Sequence, residues 1–515
     1  MDAPDRDIDD QKPRRGVLLL IVAAGVALIA MIAFAATRES DVASQDSEQE
    51  STDTPAETTT TTTSDTTTTL AEPDSPERQP AVLSDEEREE VVRRNVGIFV
   101  GVDEARSPGL ADTLERLTEE HFSPETGTRV EFVDRELRGI GSMINGIQDR
   151  PPDVMLVPVE VSTPFGSNGW LQDLTPFVEA DPGYESEDLL PSIRDAHSSN
   201  DVVGSGEFFA APFTGESTIL MYNRRILASA GISVPDQPTW EEIADIADQV
   251  HSDDVAGICL SGTGDWTDLG ASLTTVVNTF GGTWWEANED GATGEARIDQ
   301  PDSNFRAAAE FYVDLARNFG PANPETLDGA GCQEHMANET AAIWFGTTTG
   351  AQVLNAGSLN GNLGVARAPV GPTQLPGGGL WGWGLSILPA SETTDLAWEF
   401  ISWATSAEYI ELVGETNGWE NVPSGTRFST YENPDYQAAN GAFADVALAE
   451  ILDADPNNPG TTPRPGWPGV QSVSIPEFPD VATRCGEQIT LAIASDLTTD
   501  EALNACQQIA AEVTR

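Results

Sequence analysis

Lysine is almost missing from this chain. Lys12 is the only one, so arginine supplies nearly all of the 26 basic residues, against 85 acidic ones. The formal net charge of -59 argues against a nucleic-acid partner, because phosphate binding needs a basic face. Histidine is scarce as well: His121, His197, His251 and His335 form no recognisable constellation and are expected at the surface. There is no G-x-S-x-G elbow, no G-x-x-x-x-G-K-[ST] phosphate loop and no H-E-x-x-H zinc motif. A glycosidase needs only two carboxylates, but 85 acids supply pairs by chance, so they carry no weight. Cys332 and His335 are near neighbours without a second ligand pair at matching spacing, so no metal site is read there. These absences exclude the common enzyme classes, and no cofactor is implied. The acidity itself has two readings that stay open. One is a salt-rich habitat whose counterions screen self-repulsion; the other is a GC-rich genome favouring arginine, together with an acidic linker.

At 515 residues the chain is too long for one compact core. Residues 1–15 are polar and end in Lys12, Arg14 and Arg15, followed by the apolar run GVLLLIVAAGVALIAMIAFAA over 16–36. As a helix that run spans about 30 Å, the thickness of a bilayer core. Its basic N-terminal flank places the N-terminus in the cytoplasm and the remainder outside. The run exceeds an ordinary signal-peptide core, so a retained cell-membrane anchor is preferred over cleavage at the A-x-A of Ala33 and Ala35. Residues 37–83 hold few apolar side chains and a threonine tract at 58–69, and read as a disordered tether. Ser84 and Glu87 form a capping-box signature for a short helix over 84–95, which opens the folded region 84–515.

Within that region the apolar strands 96–102, 128–133 and 153–159 alternate with a helix over 109–122, the signature of parallel α/β layers. The stretch from Phe208 to Val250 then reads as a strand over 210–222, a short helix, a proline-containing turn and a second helix. Thr239 and Glu242 form that helix's capping box, and Ile243, Ile246, Ala247 and Val250 its apolar face. Further helices are expected at 302–318 and 393–413, the latter carrying Trp398 and Trp403 on a core face.

The order Tyr222-Asn223, Ala230-Gly231, then Pro238-Thr239-Trp240-Glu241 resembles the crossover segment of the extracellular solute-binding proteins that feed ABC sugar importers. GWLQDLTPF at 169–177 and the Ala397, Trp398, Phe400, Ile401, Trp403, Ala404 pattern extend the likeness. VVNTFGGTW at 276–284 and GWENVPSGTRFSTYENPDY at 418–436 resemble the branch that binds mannitol and sorbitol. The resemblance implies a two-lobed periplasmic-binding-protein-like α/β fold with interlaced lobes and hinge strands. Lobe one is expected at about 95–217 and 385–419, and lobe two at about 218–384 and 420–515. It further implies a monomeric importer component without enzymatic activity, which takes a sugar alcohol in the cleft and docks on membrane permease subunits. An oligosaccharide or glycoside binder, or a carbohydrate sensor on a stalk, is the alternative.

The four cysteines lie beyond the anchor, in an oxidising space, and allow three pairings. Cys485 and Cys506 fall on two successive helices, so a bridge closing that hairpin is natural and leaves Cys259 with Cys332. The residues the resemblance carries into the ligand site are Glu216, Asp265, Trp266, Asn278, Trp381, Trp383, Arg427, Gln471 and Glu477. Rings to pack on C–H faces and planar polar groups for vicinal hydroxyls are what a polyol requires. Asn278 and Arg427 serve equally well as cap or turn residues. Two departures stand out: Thr214 replaces an aromatic residue of the branch, and Gly346 an aspartate, which is expected to enlarge or neutralise part of the site.

Overall fold

The computed structural model describes residues 97–513 apart from 103–108, 136–150, 200–205, 289–291, 302, 462–468, 474 and 476. The anchor, the tether and the 84–95 helix therefore lie outside the described residues. Among the described residues no helix is long and apolar enough to cross a membrane.

The first sheet runs β2-β1-β3-β10-β4. Its members are β1 (Ile98–Val102), β2 (Val130–Asp134), β3 (Val154–Pro158), β4 (Ala211–Pro212) and β10 (Trp383–Ile387). β1 is parallel to β2 and β3, whereas β10 is antiparallel to both β3 and β4. Every residue of β3 is buried, as an uninterrupted apolar strand covered on both faces should be. The second sheet runs β8-β5-β9, from β5 (Thr218–Asn223), β8 (Ile343–Thr347) and β9 (Leu363–Ala366). β6 (Trp285–Ala287) and β7 (Thr293–Ala296) form a separate hairpin.

The single strand expected over 210–222 is thus two strands in two sheets. Pro212 offers no N–H to extend β4, and Gly215 has no side chain where a Cβ would lie 2.9 Å from Ile193. Residues 213–217 instead cross to the second sheet, and 379–382 return beside them. Glu216 N donates to Trp381 O at 2.7 Å and Trp381 N to Glu216 O at 2.9 Å. This antiparallel ribbon joins the lobes.

Alternation along β5 divides the second lobe's core. Leu220 faces a cluster with Trp284, Phe305 and Ile489, while Ile219 and Met221 face a smaller one with Trp344 and Leu354. The first lobe's core gathers Val100, Leu156, Leu385 and Phe400. Residues 420–515, expected wholly in lobe two, are shared: Tyr431, Tyr436, Ile451 and Val470 belong to the first core, Ala447 to the small cluster, and Phe478 and Ile489 to the second. The helix Ala444–Asp453 spans the junction, with different faces in different cores.

The capping box of Trp240–Val250 is present, Thr239 Oγ1 accepting from Glu242 N at 3.1 Å. The helix expected over 393–413 is two, Thr394–Ala404 and Ala407–Asn417. Thr405 Oγ1 bonds back to Ile401 O at 2.8 Å, and Ser406 caps the second helix by accepting from Tyr409 N at 3.0 Å. Trp398 and Trp403 pack on the first core. Cys259 is bonded to Cys332, with Cα atoms 5.5 Å apart, and Cys485 to Cys506, at 4.7 Å.

Candidate functional site

A cavity of about 520 Å³ opens against the ribbon between the lobes. The first lobe brings Glu160, at the start of the helix Val159–Ser167 that follows β3, and Trp383 of β10. Glu160 stands just beyond the carboxyl end of a parallel strand, where open α/β sheets place their ligands. The ribbon brings Glu216 and Trp381. Trp381 Nε1 donates to Glu160 Oε2 at 2.8 Å, and the rings of Trp381 and Trp383 meet edge to face with centroids 5.4 Å apart.

The second lobe contributes a turn, two helices and a strand. Asp265 is exposed and caps the turn Trp266–Gly270 by accepting from Thr267 N at 2.8 Å, which brings Trp266 and Asp268 to the cavity wall. Asp268 Oδ1 accepts from Gly329 N at 3.1 Å, so the turn is tied to the helix Gly329–Ala337, whose Gln333 also lines the cavity. Cys332 of that helix is bridged to Cys259, and Cys259 N donates to Ile343 O of β8 at 2.8 Å. The wall is therefore braced from behind.

Trp344 and Gly346 point to the same face of β8. A Cβ at Gly346 would lie 2.2 Å from the Trp344 indole, and one at Gly350 would lie 2.3 Å from it. The indole thus occupies the space above both glycines. Gly346 therefore opens no room in the site, because a ring fills the space above it. Thr214 lines a second cavity of about 460 Å³, which shares Glu216, Thr349, Trp381 and Trp383 with the first.

Two acids of the cleft are perturbed. Burial raises the Glu216 carboxyl above its usual range, against the hydroxyl of Thr349, which donates to Oε2 at 2.5 Å. Burial likewise raises Asp268, opposed by the Gly329 N–H. Burial disfavours the charged form of each, and their oxygens are the polar groups a ligand's hydroxyls would meet. Among the described residues no group of three or more His, Cys, Asp or Glu is placed to hold a metal ion.

Residues 107–411 match the model of the family described as bacterial extracellular solute-binding protein. The chain belongs to this family. It is 32% identical over 368 residues to a mannitol-binding protein of Pseudomonas aeruginosa, covering 69% of this chain and 79% of that one. A solute-binding protein of an ABC transporter from Agrobacterium vitis S4, solved with bound D-mannitol, superposes with a TM-score of 0.69 at 31% identity, over 81% of this chain and 98% of that one. Another from Agrobacterium radiobacter K84, in complex with ribitol, shares the fold with a TM-score of 0.65 at 21% identity, over 82% and 99% of the chains. The protein is thus a two-lobed solute binder and not an enzyme.

The binding protein assembles Glu216, Trp266, Trp381, Trp383 and Gln471 around one cavity. Four further residues carried over from the resemblance lie elsewhere. Asp265 is the turn cap just described. Asn278 is buried, and its Nδ2 donates to Val470 O at 2.9 Å, which holds the segment bearing Gln471. Arg427 is 1% exposed and spent on structure: Nε donates to Thr405 O at 2.8 Å, Nη2 to Tyr184 O at 2.9 Å and Nη1 to Glu185 O at 3.1 Å. Glu477 is exposed at the N-terminus of the helix Phe478–Ile493. His197, expected at the surface, is fully buried with Nδ1 2.8 Å from Ser162 Oγ, and burial lowers its pKa to about 3. Glu160, Asp268, Gln333 and Thr349 are among the lining residues that motif reading missed. The position of Glu160 after β3 is the one signal that pointed to any of them.

Proposed function

We propose that this binding protein captures sugar alcohols for an ABC importer. The observation that carries the reading is the meeting, in one cavity against the inter-lobe ribbon, of the rings of Trp266, Trp381 and Trp383 with the polar groups of Glu216, Asp268 and Gln471. Gln471 Oε1 accepts from Leu380 N at 2.8 Å, so its amide NH₂ remains to donate to a hydroxyl. Rings cover the C–H face of an alditol and planar acceptors take its vicinal hydroxyls. The mannitol-binding relative and the mannitol complex support that ligand class. A ligand bridging both lobes favours their closure, and the closed form is the one that docks on the permease. The chain acts as a monomer on the outer face of the cell membrane, held by residues 16–36 through the tether 37–83.

The second cavity favours a further reading, an oligosaccharide or glycoside whose second unit lies beyond Glu216 and Thr349. Tryptophan fluorescence of the full-length chain, titrated with alditols, monosaccharides and disaccharides, separates the two. Saturation with mannitol or sorbitol, abolished in Trp383→Ala, supports the polyol reading; a response to disaccharides alone overturns it. Recovery of the intact N-terminus in the membrane fraction tests the anchor, and a chain beginning after Ala35 refutes it.

A further inference from the structure

One fully buried acid lies immediately behind the ribbon. Glu450, on the helix Ala444–Asp453, has no exposed surface. Its Oε1 accepts from Arg367 Nε at 2.7 Å and from Ala368 N at 3.2 Å, whereas its Oε2 has no hydrogen-bond partner among the described residues. That oxygen faces the bare Cα of Gly378, where a Cβ would lie 2.4 Å from it and 3.0 Å from Ser217 Oγ. Ser217 Oγ donates to Gly379 O at 2.6 Å, and both residues line the ligand cavity. The ribbon residues Ser217, Gly378 and Gly379 stand between the carboxyl and that cavity.

We propose that Glu450 is a positioning residue for ligand capture, whose charge state sets the geometry of the ribbon and makes affinity depend on pH. In the structure Oε2 has no donor, which suits a neutral carboxylic acid and not a carboxylate, since an ionised oxygen buried without a donor is strongly disfavoured. A neutral acid is the less costly state for that oxygen and leaves the ribbon as it is. An ionised one draws a donor or water to Gly378 and displaces the strands that carry Glu216 and Trp381.

Among the described residues few charges face Glu450. Arg367, at the end of β9, also pairs with Asp453 of Glu450's own helix. On the other elements packed against that helix, Arg194 and Asp195 pair with each other at the surface and Glu432 is exposed. From the ribbon, Glu216 is engaged with Thr349. Burial outweighs Arg367 and raises the Glu450 pKa from 4.5 to about 7. The change of charge therefore falls near neutrality.

The experiment uses the full-length chain and its Glu450→Gln variant, which keeps an acceptor for Arg367 and puts an amide donor at the unpartnered position. Without ligand, tryptophan emission and the radius of gyration by X-ray scattering are followed from pH 6 to 8. Both are expected to shift with a midpoint near pH 7 in the parent and to stay flat in the variant. With D-mannitol as probe, affinity should fall at least threefold from pH 6 to pH 8 in the parent and not in the variant. This second measurement rests on the polyol reading, and the first does not. Absence of mannitol binding at every pH counts against that reading, while the ligand-free titration still decides the role of Glu450. No ligand-free transition in the parent overturns the proposal, as does a transition or an affinity slope that persists in Glu450→Gln. The parent's flatness alone suffices should the variant fail to fold.

Discussion

The two disulfides should differ in what their loss does, and the difference can be worked out from the fold. Changing Cys259 and Cys332 together to alanine releases a loop of sequence separation 73, and changing Cys485 and Cys506 releases one of 21. Loop-closure entropy assigns these losses of about 4 and about 3 kcal/mol. The first bridge also holds the helix Gly329–Ala337 to the chain that pairs with β8, and that helix gives Gly329 N to Asp268 and Gln333 to the cavity. The second joins the helices Phe478–Ile493 and Thr499–Ala510, neither of which supplies a residue to the cavity lining. Urea unfolding followed by circular dichroism should therefore rank the Cys259/Cys332 variant lower in stability. Mannitol titration of the folded proteins should show a loss of about tenfold, near 1.4 kcal/mol, for that variant alone. Equal affinities in the two variants would refute the brace, and a larger stability loss at Cys485/Cys506 would refute the loop-entropy ordering.

Other outcomes follow from single positions. Arg427→Lys should cost about 3–5 kcal/mol in urea unfolding, because one ammonium cannot reach the three carbonyls the guanidinium serves; its affinity for mannitol below the unfolding transition should match the parent's, and an affinity loss without destabilisation would return Arg427 to the ligand site. Gly346→Asp should lower the melting temperature by overpacking worth about 1–3 kcal/mol, since the new Cβ meets the Trp344 indole; an unchanged melting temperature would show that the ring has somewhere else to go. His197 has its pKa lowered from 6.5 to about 3, so the unfolded chain takes up a proton that the folded chain refuses. Its contribution is complete above about pH 6.5 and is lost as pH falls toward 3, up to about 4 to 5 kcal/mol. Replacing it with glutamine should flatten the acid limb of stability against pH, and an unchanged limb would assign acid unfolding to other groups.

Local chemistry alone set a good part of this protein. Apolar runs such as Val154–Pro158 specify buried strands, the Thr239–Glu242 pair specifies a helix start, and a cysteine pair on consecutive helices specifies a bridge, because each depends on neighbours in sequence. The hinge tryptophans were legible for a related reason: Trp381 and Trp383 stand at the end of a glycine-rich stretch, Trp381 in the ribbon and Trp383 at the entry to β10. The remainder depended on partners far along the chain. Nothing near Arg427 distinguishes a ligand contact from a clamp on Tyr184 and Glu185, and only packing buries its guanidinium among their carbonyls. Asp265 and Asp268 stand three positions apart, and the turn between them sends one to solvent as a cap and the other to the cavity. Residues 210–222 read as one strand because their side chains suit a strand throughout. Two sheets compete for them, and each pairs only the portion it can reach, so the chain is left crossing between lobes at Glu216. The burial of Glu450 behind that crossing is likewise a product of tertiary structure, since a glutamate on a short helix acquires an unpartnered oxygen only when the ribbon closes over it.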